Sequence, residues 1–292
     1  MWRYLALAAL LAAGLGWYLT GAERIDAEAL GPHDPDLANG ERIFDIGGCA
    51  SCHAVPGSED RHLLGGGRRL ATPFGTFAVP NISPDPVHGI GAWSEADFAS
   101  AMLKGTAPDG RHYYPAFPYP SYARMRLDDV RDLFAFLRTL PPSDRPSPAH
   151  EIGFPFSVNR GLGLWKLLHL SPEPVLDMAD ASERVRRGQY LVEGPGHCGE
   201  CHTPRDITGG LDLSRWLAGA PNPEGEGRIP NITPARLRWS EADIAYYLES
   251  GFTPDYDSAG GGMAAVIANT SRLPAEDRAA IAAYLKAVPP RE

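Results

Sequence analysis

Five residues, Cys49-Ala50-Ser51-Cys52-His53, recur later in the chain as Cys198-Gly199-Glu200-Cys201-His202. Cys-x-x-Cys-His is the attachment signature of a c-type haem. Cys49 and Cys52, like Cys198 and Cys201, are placed to form thioether bonds to a porphyrin edge. His53 or His202 then lies under the iron as its proximal ligand. A thioredoxin-type redox pair or half of a zinc site also uses Cys-x-x-Cys. Neither explains the histidine that follows in both copies, and no βαβ context is visible. The two motifs use all four cysteines, so no disulfide or Cys₄ zinc site is available. The expected cofactors are two covalently bound haem c groups.

A methionine thioether is the usual distal iron ligand and raises the reduction potential. Met263 follows Gly260-Gly261-Gly262 and is the only methionine after the second motif. Aligning Leu273 with Leu127 sets Phe117 opposite Met263, and phenylalanine cannot ligate iron. Met102 falls inside a middle helix, where Leu248 stands in the second copy, and reads as core. Met125 lies eight residues past Phe117. His112 is its rival, with a surface or propionate-contacting role as the alternative.

The remaining candidates carry weaker signals. Pro80 and Pro230 are placed to offer carbonyls to the proximal imidazoles. Arg205 is a candidate partner for a haem propionate. Tyr113, Tyr114, Phe117, Tyr119 and Tyr122 read as packing around the first haem rather than a substrate site. His197 reads as packing beside the second. His33, His62, His88, His150 and His169 read as solvated.

The elements that must position these residues are duplicated as well. Pro80-Asn81-Ile82-Ser83-Pro84 returns as Pro230-Asn231-Ile232-Thr233-Pro234, and Trp93-Ser94-Glu95-Ala96-Asp97 returns as Trp239-Ser240-Glu241-Ala242-Asp243. A repeat of this length is a duplicated domain, not a solenoid unit. Ser94 and Ser240 have N-cap chemistry, and Gly105 and Gly251 stand where helices from Glu95 and Glu241 should stop. Val130, Leu133, Phe134 and Leu137 recur at helical spacing, as do Ile281, Tyr284, Leu285 and Val288. Gly40 and Gly188, in the helical stretches before the two motifs, suit a close helix crossing. No convincing alternating strand is visible.

This order of elements resembles the class I cytochrome c fold. The details resemble di-haem cytochromes c related to the cytochrome subunit of membrane-bound alcohol and gluconate dehydrogenases. The shared segments include Cys201-His202-Thr203-Pro204-Arg205, Gly209-Gly210-Leu211-Asp212 and Asp109-Gly110-Arg111-His112-Tyr113-Tyr114-Pro115-Ala116. The resemblance covers nearly everything after residue 35. It implies an all-α chain of two tandem cytochrome c domains, at 36–142 and 182–290, joined by a linker at 143–181. It also favours Met125 as distal ligand of the first haem. Some relatives combine Tyr-Pro-Ala-Phe-Pro-Tyr with a downstream methionine, as here.

Residues 1–22 read as a membrane anchor or signal peptide. Arg3 precedes an apolar run, and Trp2, Tyr4, Trp17 and Tyr18 mark its ends as an aromatic belt would. An uncleaved transmembrane helix is favoured, with the haem domains in the periplasm. The linker is proline-rich, with an apolar and potentially helical centre at 162–168 that packs between the domains or lies on the membrane surface. A net charge of −9 argues against nucleic-acid binding and suits a partner with a basic patch. The expected function is transfer of single electrons from a periplasmic dehydrogenase, or another redox protein, toward the quinone pool or a terminal oxidase. Two alternatives remain open. One is a di-haem enzyme of peroxidase or thiosulfate-oxidising type with an open first haem; the other is a subunit that merely docks a dehydrogenase.

Overall fold

The computed structural model describes residues 1–222, 225 and 227–292. Helix α1 (Trp2–Leu19) comes first and buries none of its residues. The first repeat follows as α2 (Leu37–Ile46), α3 (Cys49–His53), α4 (Glu95–Lys104), α5 (Tyr119–Tyr122) and α6 (Leu127–Leu137). Helix α7 (Gly161–His169) lies between the repeats. The second repeat runs α8 (Glu183–Glu193), α9 (Gly199–His202), α10 (Glu241–Ser250), α11 (Gly262–Thr270) and α12 (Ala275–Ala287).

Each repeat is built on a crossing of its first and last long helices, α2 on α6 and α8 on α12. Both crossings require glycine. A Cβ at Gly40 would overlap the Asp132 carbonyl and lie 2.7 Å from the Phe136 Cβ; at Gly188 it would overlap the Ala280 carbonyl and lie 2.8 Å from the Tyr284 Cβ. Val130, Leu133, Phe134 and Leu137 are buried along α6, and Ile281, Tyr284, Leu285 and Val288 along α12 and its end. The helix signals also match. Ser94 with Asp97, and Ser240 with Asp243, form complete capping boxes, while Gly105 (φ 58°) and Gly251 (φ 77°) end α4 and α10 in the left-handed region.

The chain is mostly helical, but it is not purely so. Strands β1 (Arg69–Thr72) and β2 (Gly75–Ala78) form an antiparallel hairpin, and β3 (Ala220–Pro221) pairs with β4 (Arg228–Ile229). Glycine, proline and four-residue lengths kept the first hairpin from showing a readable alternation.

The segment at 143–181 is strapped to both repeats. Glu151 exchanges backbone hydrogen bonds with Thr76. The Val175 N–H donates to Glu193 Oε2 at 2.6 Å. Its apolar centre is helical, as α7, and bridges the halves. The Trp165 indole donates to the Thr208 carbonyl at 3.0 Å, and the Lys166 ammonium donates to the Lys104 and Gly105 carbonyls at 2.7 Å each. One continuous apolar cluster, including Phe44, Leu133, Leu191, Trp216 and Tyr284, runs through both repeats.

Candidate haem sites

The two motif histidines are held identically. His53 donates from Nδ1 to the Pro80 carbonyl, and His202 from Nδ1 to the Pro230 carbonyl, at 2.8 Å in each case. A carbonyl only accepts, so the proton sits on Nδ1 and each Nε2 presents a lone pair. Burial pulls both imidazole pKa values down, partly offset by that hydrogen bond, which keeps the rings neutral. A neutral, oriented imidazole with a free Nε2 is what a metal ligand requires.

The carbonyls are themselves fixed. Asn81 donates to the Ser143 and Arg145 carbonyls, both at 2.8 Å, and accepts from the Ser83 N–H. Asn231 donates to the Arg291 carbonyl at 2.7 Å and accepts from the Thr233 N–H. The repeated Pro-Asn-Ile-Ser/Thr-Pro segment therefore ties each imidazole-orienting loop to the chain after the last helix of its repeat. Gly66 and Gly219 complete the cradle, donating to the His53 and His202 carbonyls at 2.8 and 2.7 Å. Both have positive φ, 65° and 81°. A Cβ on Gly66 would overlap the Pro80 carbonyl; on Gly219 it would lie 2.8 Å from the Asn231 nitrogen. These glycines carry no plain signal in the sequence, because they stand thirteen residues past one histidine and seventeen past the other.

Cys49 and Cys198 face inward. Burial, with the neighbouring thiol of each pair adding to it, pushes both thiols up to about 12. Gly199 lets the second motif close on the core, since a Cβ there would overlap the Trp216 ring. Trp216 donates to the Tyr284 hydroxyl at 3.0 Å, and that hydroxyl donates to Glu193 at 2.5 Å. Helix α9 is thereby keyed to α12 and α8.

A small cavity beside Cys49 is lined by Met102, Tyr122, Met125 and Leu133, among others. Met125 and Met102 are both buried, so the first site has two thioethers at hand. His112 is turned elsewhere: its Nε2 contacts the Thr20 carbonyl at 3.2 Å and it does not line this cavity. Phe117 packs edge-on to Tyr113 and Tyr122. Met263 is half-buried against the apolar cluster, in the first turn of α11. That helix follows a glycine run and has no side-chain cap, so its start was not visible in the sequence.

Several polar side chains are more engaged than their surroundings in the sequence suggest. Arg205 pairs with Glu200 at 2.6 Å. His33 contacts Asp132 at 2.7 Å, and His169 packs tilted against Trp165 while contacting Thr208. His150 is exposed but accepts from the Ala78 N–H. Polar neighbours in sequence did not mean solvent in three dimensions.

Each motif is fastened to the opposite repeat across the seam between them. Ser51, inside the first motif, accepts from Asn269 of α11 at 2.8 Å. Glu200, at the same place in the second motif, accepts from Ser121 of α5 at 2.8 Å. The segment before each last helix thus clasps the attachment motif of the other repeat. His197 contacts the Gly47 carbonyl at 3.2 Å, and its ring meets Tyr122 edge-on at 5.6 Å. Arg61 bonds Asp45 at 2.6 Å and Asn269 at 3.3 Å, closing the same seam.

Paired thiols and an oriented, neutral imidazole fit a covalently bound haem at each motif, and at the first, two buried thioethers stand close by. Together they define a class of protein, one that holds two redox irons in a mostly helical frame. The cytochrome c family model matches residues 37–141. A diheme cytochrome c-type protein of Cereibacter sphaeroides is 59% identical over 282 residues, covering 96% of this chain and 95% of that protein. The fructose dehydrogenase cytochrome subunit of Gluconobacter japonicus is 36% identical over 263 residues, covering 88% of this chain and 53% of that subunit. The cytochrome c subunit of the quinone alcohol dehydrogenase of Gluconobacter oxydans is 35% identical over 299 residues, covering 94% and 60%. The chain therefore spans only a little over half the length of these dehydrogenase subunits. This chain belongs to the di-haem branch of the cytochrome c family and carries two covalently bound haem c groups.

Proposed function

We propose that this protein is a membrane-anchored, two-site electron relay that takes single electrons from a periplasmic dehydrogenase and passes them toward the respiratory chain. Two tandem class I cytochrome c domains, 36–142 and 182–290, form the relay. Cys49, Cys52 and His53 hold the first haem, and Cys198, Cys201 and His202 the second. Met125 and Met263 are the distal ligands. Each haem iron supplies one-electron chemistry by cycling between ferric and ferrous. The protein orients each imidazole through Pro80 or Pro230, excludes water with a packed core, and fixes one site against the other.

The observation that carries this reading is the seam. The Ser51–Asn269 and Ser121–Glu200 bonds fasten each attachment motif to the opposite repeat. That arrangement suits transfer between the sites. The named functions of the fructose and alcohol dehydrogenase subunits support a dehydrogenase as the electron donor. The quinone pool or a terminal oxidase is the receiving side. An open-site enzyme is disfavoured by Met125 and Met102 lining the cavity beside Cys49.

Haem staining on denaturing gels, with pyridine haemochrome quantitation, tests the assignment. The wild type should hold two haems per chain. The Cys49→Ala/Cys52→Ala and Cys198→Ala/Cys201→Ala variants should each hold one. A wild type with one haem, or haem extracted by acidic acetone, would overturn it.

A further inference from the structure

Helix α7 is amphipathic in the reverse sense for a helix at a water-facing surface. It buries Gly163 and Lys166, while Leu164, Leu167 and Leu168 are 57%, 53% and 68% exposed. The three leucines form one stripe at helical spacing. Phe154, Phe156 and Val158 extend the exposed apolar surface into the preceding segment. In water, such a helix would turn its leucines inward and its lysine outward. The Lys166 hydrogen bonds to the last carbonyls of α4 lock the opposite orientation.

The place of α7 says what covers the stripe. Its start lies against the end of α1. Gly163 packs on Thr20 with no room for a Cβ, the Arg160 guanidinium lies 4.0 Å over the Trp17 ring, and Arg160 also donates to the Trp17 carbonyl and to Thr20 Oγ1. Helix α1 has 18 residues and a mean hydropathy of 1.2, with none of it buried. At about 1.5 Å per residue it spans about 27 Å, close to the ~30 Å hydrocarbon core. Trp17 and Tyr18 then stand at the headgroup level. A helix packed on residues 17–20 stands there too.

We propose that α7 lies in the lipid interface beside the exit of α1, with Leu164, Leu167 and Leu168 entering the acyl boundary. This rests on reading α1 as a retained anchor. The membrane then holds the protein at two points, a spanning helix and a surface helix. A single tether leaves the domains free to turn; the second contact fixes which face meets a membrane-bound partner.

The test uses the full-length holoprotein in phosphatidylethanolamine/phosphatidylglycerol nanodiscs. The bilayer includes a phospholipid with a diazirine high on its acyl chain. After photolysis, lipid adducts are mapped by mass spectrometry. Adducts should fall on α1 and on residues 161–170. The Leu164→Ser/Leu167→Ser/Leu168→Ser variant should keep its haem spectrum and its α1 adducts and lose those on α7. Wild-type adducts on α1 alone overturn the proposal and leave the anchor standing; adducts on neither overturn both. Equal α7 labelling in the variant also overturns it. So does a cross-link between two copies through α7 without lipid adducts.

Discussion

At the scale of single residues, the behaviour of each haem follows from the ligands on its two sides. The proximal geometry is the same in both repeats, so differences between the haems should come from the distal side. Met263→Ala and Met125→Ala should each remove one far-red Met-to-ferric charge-transfer band, lower one haem's potential and leave the other unchanged. A loss of one thioether also frees a coordination position, so cyanide or imidazole should bind that haem readily. Optical spectra with potentiometry check both variants. An unchanged spectrum for Met125→Ala would transfer its role to Met102, which lines the same cavity. The motif residues were legible in the sequence because attachment needs a fixed local spacing. Gly66, Gly219 and the Ser51–Asn269 contact were not. The two glycines stand at different offsets from their histidines, and no local pattern records the pairing of Ser51 with Asn269 across more than two hundred residues.

At the scale of elements, the helix crossings set the frame. Gly188→Ala would drive a methyl group into the Ala280 carbonyl. It should destabilise the α8–α12 crossing by about 3 kcal/mol, as overpacking does, and calorimetry of the holoprotein would show the loss. Asp132 ties the start of α2 to α6, accepting from His33, the Asp36 N–H and Asn39. Burial pushes its carboxyl pKa up, but these donors outweigh it and the net shift is below the usual 3.8. A depressed carboxyl contributes stability above its unfolded pKa and loses it as pH falls. Asp132→Asn should therefore cost ~2 kcal/mol near neutrality and flatten the acid side of the stability profile below about pH 4. Equilibrium denaturation from pH 3 to 7 decides this; a parallel profile would remove Asp132 from the acid response. Caps, C′ glycines and the crossing glycines were all readable, since each acts within one helix turn or one contact. The two hairpins and α11 were not, because their pairing and docking come from tertiary context.

At the scale of the whole molecule, the repeats are not beads on a string. One apolar cluster runs through both, and the Ser51–Asn269 and Ser121–Glu200 bonds tie each motif to the opposite repeat. The segment at 143–181, expected as a linker with a helical centre packed between the domains or on the membrane surface, is a strap over both halves whose α7 also meets the end of α1. Such a molecule should behave as two closed, electronically neighbouring sites. A potentiometric titration of the purified holoprotein, followed by optical and EPR spectra, tests this most directly. The account predicts two one-electron waves of equal amplitude, both from low-spin haem. A resting ferric haem that is high-spin and reacts with peroxide or a sulfur substrate at an enzymatic rate would contradict it.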